Sequence, residues 1–414
     1  MLRDELNELL TRTGPGTPGG RFMRRYWQPV ATSSEILVGG KPKHVRILGE
    51  ELVLFRPDAS GRPDSSGRDD AGKPGLLGLH CSHRGTSLAY GRVEDGGVRC
   101  PFHGWLYDVQ GRCLEQPAEP ETSTQKDSIR HPSYPCQELG GLIFAYLGPA
   151  DAMPLLPRYE VLVREDGTRK VDYYPINSNY LQNLEGAVDT VHAAYLHTDQ
   201  WSEKKHVLAA LPRPRVDFVE TDYGIRQRSH KASPSPGGPV MNDVYTYFFM
   251  PAGFLRVQET NKGEGDVKKF QSWYVPTDDT HTMRFQAAFA PLETSGEPYP
   301  WPEDTEFMPP GPENDYFRDY ERYDTISGIP VRAPGTAIKG FLAQDSMVNE
   351  TQGPIVDRTT EHLGAHDPVL MAMRLMMLKA IADVEKSLDP KHIIRDAELN
   401  DIVYVRGTDV MELV

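Results

Sequence analysis

Cysteine is scarce: 414 residues contain four, at positions 81, 100, 113 and 136. So few thiols exclude the disulfide framework of a small secreted protein. Long apolar runs are missing as well. Residues 142–147 and 369–377 are the longest candidates, and both are too short or too interrupted to span a bilayer. The opening MLRDELNELLTRTG is acidic and amphipathic and has no signal-peptide core, so a cytoplasmic location is expected. Excess positive charge is also absent. With 59 acidic against 45 basic residues the net charge is −14, which argues against nucleic acid or an anionic membrane as the main partner. Hydrophobic residues make up 38%, so disorder is excluded too, and the length suits two or three domains with real cores.

What is present falls into two parts. Residues 2 to about 12 read as a short helix, ended by the Gly/Pro-rich TRTGPGTPGG. From Tyr26 the pattern turns to short alternating segments, WQPVAT, KHVRILG and ELVLFR, which read as antiparallel strands. Residues 57–75 are rich in Gly, Ser, Asp and Pro. They read as an exposed insertion between strands, because strand-like sequence resumes at LLGLH. The first domain is expected to close with GGLIFAYLG at 140–148. Strands are then expected at 244–250, 269–276 and 281–291, a long wrapping loop at 292–335, and a Met-rich core helix at 368–387. The expected architecture is α+β. An N-terminal helix and arm (1–25) precede a small all-β domain (26–149) and a larger C-terminal domain of antiparallel sheet and helix (150–414).

Two stretches carry chemistry. Residues 181–197, LQNLEGAVDTVHAAYLH, place Glu185, Asp189, His192 and His197 within thirteen positions. In a helix the first three share one face, whereas His197 needs a loosened last turn to stand beside His192. Two histidines and a carboxylate with open positions describe a non-haem iron(II) site. The plainer reading is an amphipathic helix whose histidines cap and pack. The second stretch, residues 81–103, pairs Cys81-x-His83 with Cys100-x-x-His103 across sixteen intervening residues, and Gly104 follows. Two thiolates and two imidazoles suit one tetrahedral zinc, or a [2Fe–2S] cluster with both histidines on one iron. Zinc fingers usually group their cysteines together and their histidines together. Each half here supplies one of each, as a Rieske centre requires.

These motifs, CSH, CPFHGW and NLEGAVDTVHAAYLH, resemble those of the oxygenase components of Rieske non-haem iron oxygenases. The opening GPGTPGGRFMRRYWQPV looks like the branch of phthalate dioxygenase and related aryl-ether demethylases. The resemblance spans nearly the whole chain. It implies that Cys81 and Cys100 hold one iron of a [2Fe–2S] cluster and that His83 and His103 hold the other. It also implies that His192 and His197 bind mononuclear Fe(II), with a distant Asp as third ligand. AQDSMVNETQG matches that ligand's pattern at Asp345; Glu350 and Asp357 are the fallback choices, and a helix N-cap is the plainer role for Asp345.

By the same resemblance Asp189 links a neighbouring subunit's cluster histidine, His103 or less directly His83, to His192. A carboxylate suits this because it accepts from both imidazoles. Glu185 is expected to support the site or to form a salt bridge, and Asn183 to be a polar neighbour of the iron or simply structural. Cys113 and Cys136 read as inert buried thiols. His80 and His131 read as packing or hydrogen-bonding residues, and Trp105 and Tyr107 as shields for the cluster. The implied activity is dihydroxylation, monooxygenation or O-demethylation of an aromatic, carboxylated substrate. Dioxygen is the co-substrate, and electrons come from NAD(P)H through a flavin or iron–sulfur reductase. A homotrimer without a β subunit is implied. Arg213, Arg215, Arg226, Arg228 and Arg256 are candidates for the carboxylate, and Phe248, Phe249 and Phe254 for the ring pocket. A pure electron-transfer protein needs only the first domain, and a zinc-stabilised binding protein needs no sulfide; these are the competing readings.

Overall fold

The computed structural model describes residues 2–58, 72–197, 215–233, 240–257, 269–292, 311–318, 323–326, 329–332, 338 and 340–400. The α+β architecture is present: small sheets first, then one large antiparallel sheet with helices against it. Two four-stranded sheets and one three-stranded sheet make up the N-terminal part. The four-stranded sheet Arg92–Glu94, Gly97–Arg99, Leu106–Tyr107 and Cys113–Glu115 carries one cysteine–histidine turn between its second and third strands. The C-terminal sheet has seven strands. Its order runs Gly167–Ile176, His281–Pro291, Lys269–Asp278, Gly253–Val257, Val240–Phe249, Gly224–Ser233 and Arg215–Glu220. The last six strands form a meander, and the first closes onto its far edge. The expected strand at 281–291 matches end to end; Phe285 and Phe289 anchor it, and its last five residues are all buried. Of the expected loop at 292–335, the described pieces include a 3-10 turn (Pro312–Phe317) and a small hairpin, Tyr323–Ile326 with Ile329–Arg332.

Packing follows a different division from strand order. A small core of Val53, Phe55, Leu77, Leu88, Val98 and Tyr107, among others, lies under the cysteine–histidine turns and includes Cys81 and Cys100. The larger core joins the N-terminal arm (Leu10, Phe22, Met23) to the strand Leu142–Ala145, the large sheet and the helix Pro368–Glu385. The arm is therefore part of the C-terminal core, not a free tail. Pro368 opens the Met-rich helix, where its missing N–H is harmless, and Met373, Met376 and Met377 bury its inner face.

The helix Tyr180–Val188 lies under the sheet. Asn179 caps it by accepting from the Leu181 N–H at 3.0 Å. The stretch 181–197 is not one helix, and the loosening begins earlier than the last turn. Val188 is its last helical residue, Asp189 is extended (φ −66°, ψ 112°), and a short turn, Ala193–Leu196, follows. The break is stabilised locally, since the Asp189 carboxylate accepts from the Val191 N–H at 2.8 Å. A second helix, Phe341–Glu350, crosses the first where Gly186 leaves room: a Cβ there would meet Asn349 Oδ1 at 3.0 Å. Gln182 ties the crossing, donating to the carbonyls of Asn349 (2.7 Å) and Gly353 (2.8 Å).

Candidate metal centres

The cysteine–histidine turns are built alike. Cys81 and Cys100 are each followed four residues later by a glycine with positive φ, Gly85 (+73°) and Gly104 (+75°). Each glycine N–H returns to its cysteine's carbonyl, at 2.8 and 3.1 Å. That left-handed position favours glycine, and it folds the loop back so that thiol and imidazole project from one side. Both thiols are buried, whereas His83 is exposed and His103 partly so. The two imidazoles meet edge to face, 4.5 Å between centroids. Trp105 stacks flat on His83 at 4.6 Å, and the Tyr107 hydroxyl stands 3.3 Å from Cys81 Sγ. Burial raises the Cys100 thiol above its ordinary value, opposed by the backbone N–H groups of Phe102 and His103 that point at its sulfur.

His131 is buried between these parts, its ring 4.7 Å from Tyr107. Its Nε2 is 2.7 Å from the Gly78 carbonyl and its Nδ1 is 2.7 Å from Ser82 Oγ. His80 is exposed, with Nδ1 at 3.0 Å from the Gly85 carbonyl. Burial pushes the thiols of Cys113 and Cys136 up to about 11 and about 12, consistent with inert cysteines.

His192, His197 and Asp345 converge. Their ligand atoms all lie within 4.8 Å of one another, and no other group of three or more metal-binding side chains among the described residues does so. Asp345 Oδ1 is 3.7 Å from His192 Nε2 and 3.3 Å from His197 Nε2. The remaining ring nitrogens are engaged elsewhere. His192 Nδ1 meets the backbone carbonyl of Asp189, and His197 Nδ1 is 2.7 Å from Gln344 Oε1. Gln344 Nε2 donates to the Ile338 carbonyl at 3.0 Å, so its Oε1 is left to accept. Each Nδ1 thus carries a proton toward its acceptor, which leaves Nε2, the nitrogen facing Asp345, as the atom that would ligate a cation. Burial lowers His192 despite Asp345 and Asp189. It pulls His197 the same way, but the hydrogen bond and charge of Asp345 outweigh it and His197 is raised.

Asp345 sits inside its helix, and Gly340 holds the cap position, so the N-cap role does not apply. The fallback carboxylates are occupied elsewhere. Glu350 accepts from the Asn177 N–H and the Tyr316 hydroxyl, and Asp357 from Thr359. The Asp189 carboxylate stands 4.0 Å from His192 Nδ1, in a cavity of about 650 Å³ that His192, Tyr195 and Asp345 also line. Glu185 turns away into a buried salt bridge, with Arg358 Nη2 at 2.7 Å and Arg374 Nε at 2.6 Å. Asn183 is buried and donates to Ser178, Asn179 and Thr282, a structural position. Phe248, Phe249 and Phe254 are all core residues.

Both donor sets fit the groups the motifs imply. Two neutral imidazoles and a carboxylate with open sides suit Fe(II). The four cysteine–histidine ligands come in like pairs, with His83 ring to ring with His103 at 4.5 Å and the Cys100 thiol hydrogen-bonded to Cys81, whereas a single tetrahedral ion needs all four around one point. Two thiols and two imidazoles in separate pairs suit a cluster of two irons.

The chain matches the Rieske [2Fe-2S] domain over residues 26–135 and the LigXa C-terminal domain like family over residues 145–400. It is 34% identical over 406 residues to the phenoxybenzoate dioxygenase subunit alpha of Ectopseudomonas oleovorans, covering 92% of this chain and 86% of that one. The chain belongs to the Rieske non-haem iron oxygenases. As an oxygenase component it is an oxidoreductase, and its family carries an iron–sulfur cluster and non-haem iron. It is also 32% identical over 410 residues to the 5,5'-dehydrodivanillate O-demethylase oxygenase subunit of a Sphingobium species, covering 97% and 86% of the two chains. A solved carbazole-bound oxygenase–ferredoxin complex of carbazole 1,9a-dioxygenase shares the fold, with a TM-score of 0.60, 19% identity and coverage of 98% and 99%. Among the described residues no helix of this oxygenase is long and apolar enough to cross a membrane.

Proposed function

We propose that this Rieske oxygenase component hydroxylates or O-demethylates an aromatic carboxylate. Residues 26–149 would act as the cluster domain and 150–414 as the domain of the mononuclear iron. The observation that carries the reading is the convergence of His192, His197 and Asp345, with both Nε2 atoms facing one carboxylate. Cys81 and Cys100 hold one iron of the cluster, His83 and His103 the other. When bound, the two centres supply single electrons and a site for reductive activation of dioxygen, with an external NAD(P)H-dependent reductase as the source. The relatives named for phenoxybenzoate and dehydrodivanillate support an aromatic acid as substrate, and the oxygenase–ferredoxin complex supports an iron–sulfur donor.

The protein's own groups have distinct tasks. Gln344 and the Asp189 carbonyl hold the imidazoles in one tautomer. Trp105 and Tyr107 keep water from the cluster ligands. Asp189 presents its carboxylate in an open cavity, where an imidazole of a neighbouring subunit, that of His103, donates to it; Phe102 beside that histidine is 53% exposed and available for such docking. This arrangement requires an oligomer, a homotrimer in the reading favoured here.

Asp345→Ala tests the site directly. After anaerobic ferrous loading, mononuclear iron should be lost and oxygen uptake with aromatic acids abolished, while the visible spectrum of the cluster survives. Full retention of iron would place the third ligand elsewhere.

A further inference from the structure

The face of the large sheet that looks toward His192, His197 and Asp345 carries a cation with no hydrogen-bond or ion-pair partner among the described residues, and strand register fixes its direction. Gln227 Nε2 donates to Thr190 Oγ1 at 3.1 Å, and Ser229 Oγ is 2.7 Å from the same hydroxyl. That face therefore looks at the segment between Asp189 and His192. Gln227 stands directly opposite Thr246, and Thr246 opposite Arg256. Directly paired residues share a face, so Arg256 belongs to this row. Its charge acts on both Asp345 and His197.

The other arginines separate from it. Arg226 and Arg228 are one residue out of step with Gln227 and face the opposite side, where Arg228 binds Asp243 at 2.6 Å. Arg215 pairs with Asp217 at 3.2 Å, and Arg213 lies outside the described residues. Arg284 shares the face of Arg256 but is hydrogen-bonded on every side. It donates to Ser272 Oγ at 3.1 and 3.0 Å, to Gln286 Oε1 at 2.9 Å and to the Tyr174 hydroxyl. Arg256 is partly buried, and among the described residues it has no hydrogen-bond or ion-pair partner. Burial without a partner makes a charge costly. Two neighbours in the row are also unsatisfied. Among the described residues, Thr246 Oγ1 and Gln227 Oε1 are buried side-chain atoms with no hydrogen-bond partner, in residues only 3% exposed.

We propose that Arg256 grips the substrate's carboxylate through its two-pronged guanidinium, with the Thr246 hydroxyl donating to the same group, and so decides which ring carbon faces the trio. A fork of parallel N–H donors fixes a planar carboxylate in direction as well as position. Gln227 Oε1, an acceptor, takes a hydroxyl or water further along the row. The inference rests on reading the trio as the oxygenase centre, and it adds the anchor that selects substrate.

Anaerobic holoenzyme titrated calorimetrically with benzoate and benzamide, and with biphenyl-3-carboxylate and its amide, tests it. Each acid should bind about 10- to 100-fold more tightly than its amide, the worth of charge-assisted hydrogen bonds. Arg256→Gln should erase that difference, and Arg256→Lys should keep part of it, with cluster absorbance and iron content unchanged. Equal binding of acid and amide by the wild type, or an undiminished preference in Arg256→Gln, overturns the proposal. Should Arg256→Gln lose its metals, Thr246→Val decides: acid binding falls several-fold with amide binding unchanged, or the proposal fails. Acid-selective binding without oxygen uptake would refute the oxygenase reading and leave the anion site standing. Equal oxygen uptake with acids and amides would do the reverse.

Discussion

The cysteine–histidine quartet and the trio of His192, His197 and Asp345 are held by opposite means. Cys81, His83, Cys100 and His103 come from two short turns, each closed by its own glycine and resting on a compact local core. His192, His197 and Asp345 come from a broken helix end and from a helix far along the chain. Buried polar contacts between distant segments keep them together: Gln344 to His197, Gln182 to the Asn349 and Gly353 carbonyls, Glu185 to Arg358 and Arg374. Local loops cost little entropy to close, so a cluster site built from them tolerates change elsewhere. A site made by long-range packing inherits the stability of everything that packs it.

This contrast is sharpest at Arg358, which is fully buried and reaches Glu185, while its Nη1 donates to Asn7 of the N-terminal arm at 3.0 Å. Arg358→Leu should cost roughly 3 kcal/mol by leaving the buried Glu185 carboxylate to Arg374 alone. Mononuclear iron should be lost on heating well before the cluster's visible absorption changes. Simultaneous loss of both would dissolve the contrast. The pH dependence has a defined sign. Burial opposes ionisation of Glu185, but the guanidinium groups of Arg358 and Arg374 outweigh it and hold the carboxyl below its ordinary range. A depressed native value gives stability that is present above the unfolded value, about pH 4.3, and is lost as pH falls through the depressed one. Denaturation profiles of wild type should therefore drop at the acid end, and Arg358→Leu should flatten that drop.

Asp189→Asn probes the passage between the two regions. The backbone carbonyl that engages His192 is unaffected, so both metals should bind normally. Single-turnover electron transfer from cluster to iron should slow roughly 10- to 100-fold, as loss of a ligand-orienting group does elsewhere. Unchanged single-turnover rates would remove Asp189 from the path between subunits.

The smallest effect is expected at Tyr107. Its hydroxyl is 3.3 Å from Cys81 Sγ, and hydrogen bonds to cluster sulfurs raise a reduction potential. Tyr107→Phe should lower the potential in a spectroscopic redox titration and leave iron content alone. An unmoved potential would mean that the hydroxyl does not donate to the sulfur.

Much of the fold and part of the site were legible in advance, for reasons that differ residue by residue. His281–Pro291 and Lys269–Asp278 were legible as short apolar and aromatic runs, and both prove to be buried over most of their length. Cys81, His83, Cys100 and His103 stood out because thiols are rare here and paired with histidine. The break at Asp189 left no mark, since the one glycine of the stretch, Gly186, lies inside the helix and not at the break, and the carboxylate's bond to the Val191 N–H exists only in the folded turn. Asp345 was visible through family resemblance and not through spacing. Glu185 left two readings open, support for the site or a salt bridge, and Arg358 and Arg374 decide for the second.

Residue types and their local order determined that this chain makes a metal-binding α+β oxygenase, because ligand chemistry and hydrophobic period are written in short stretches. Which carboxylate joins His192 and His197, and which of five arginines faces them, depended on helix crossing at Gly186 and on strand register across Gln227, Thr246 and Arg256. Those are relations between segments far apart in the chain, and only packing brings them to one place.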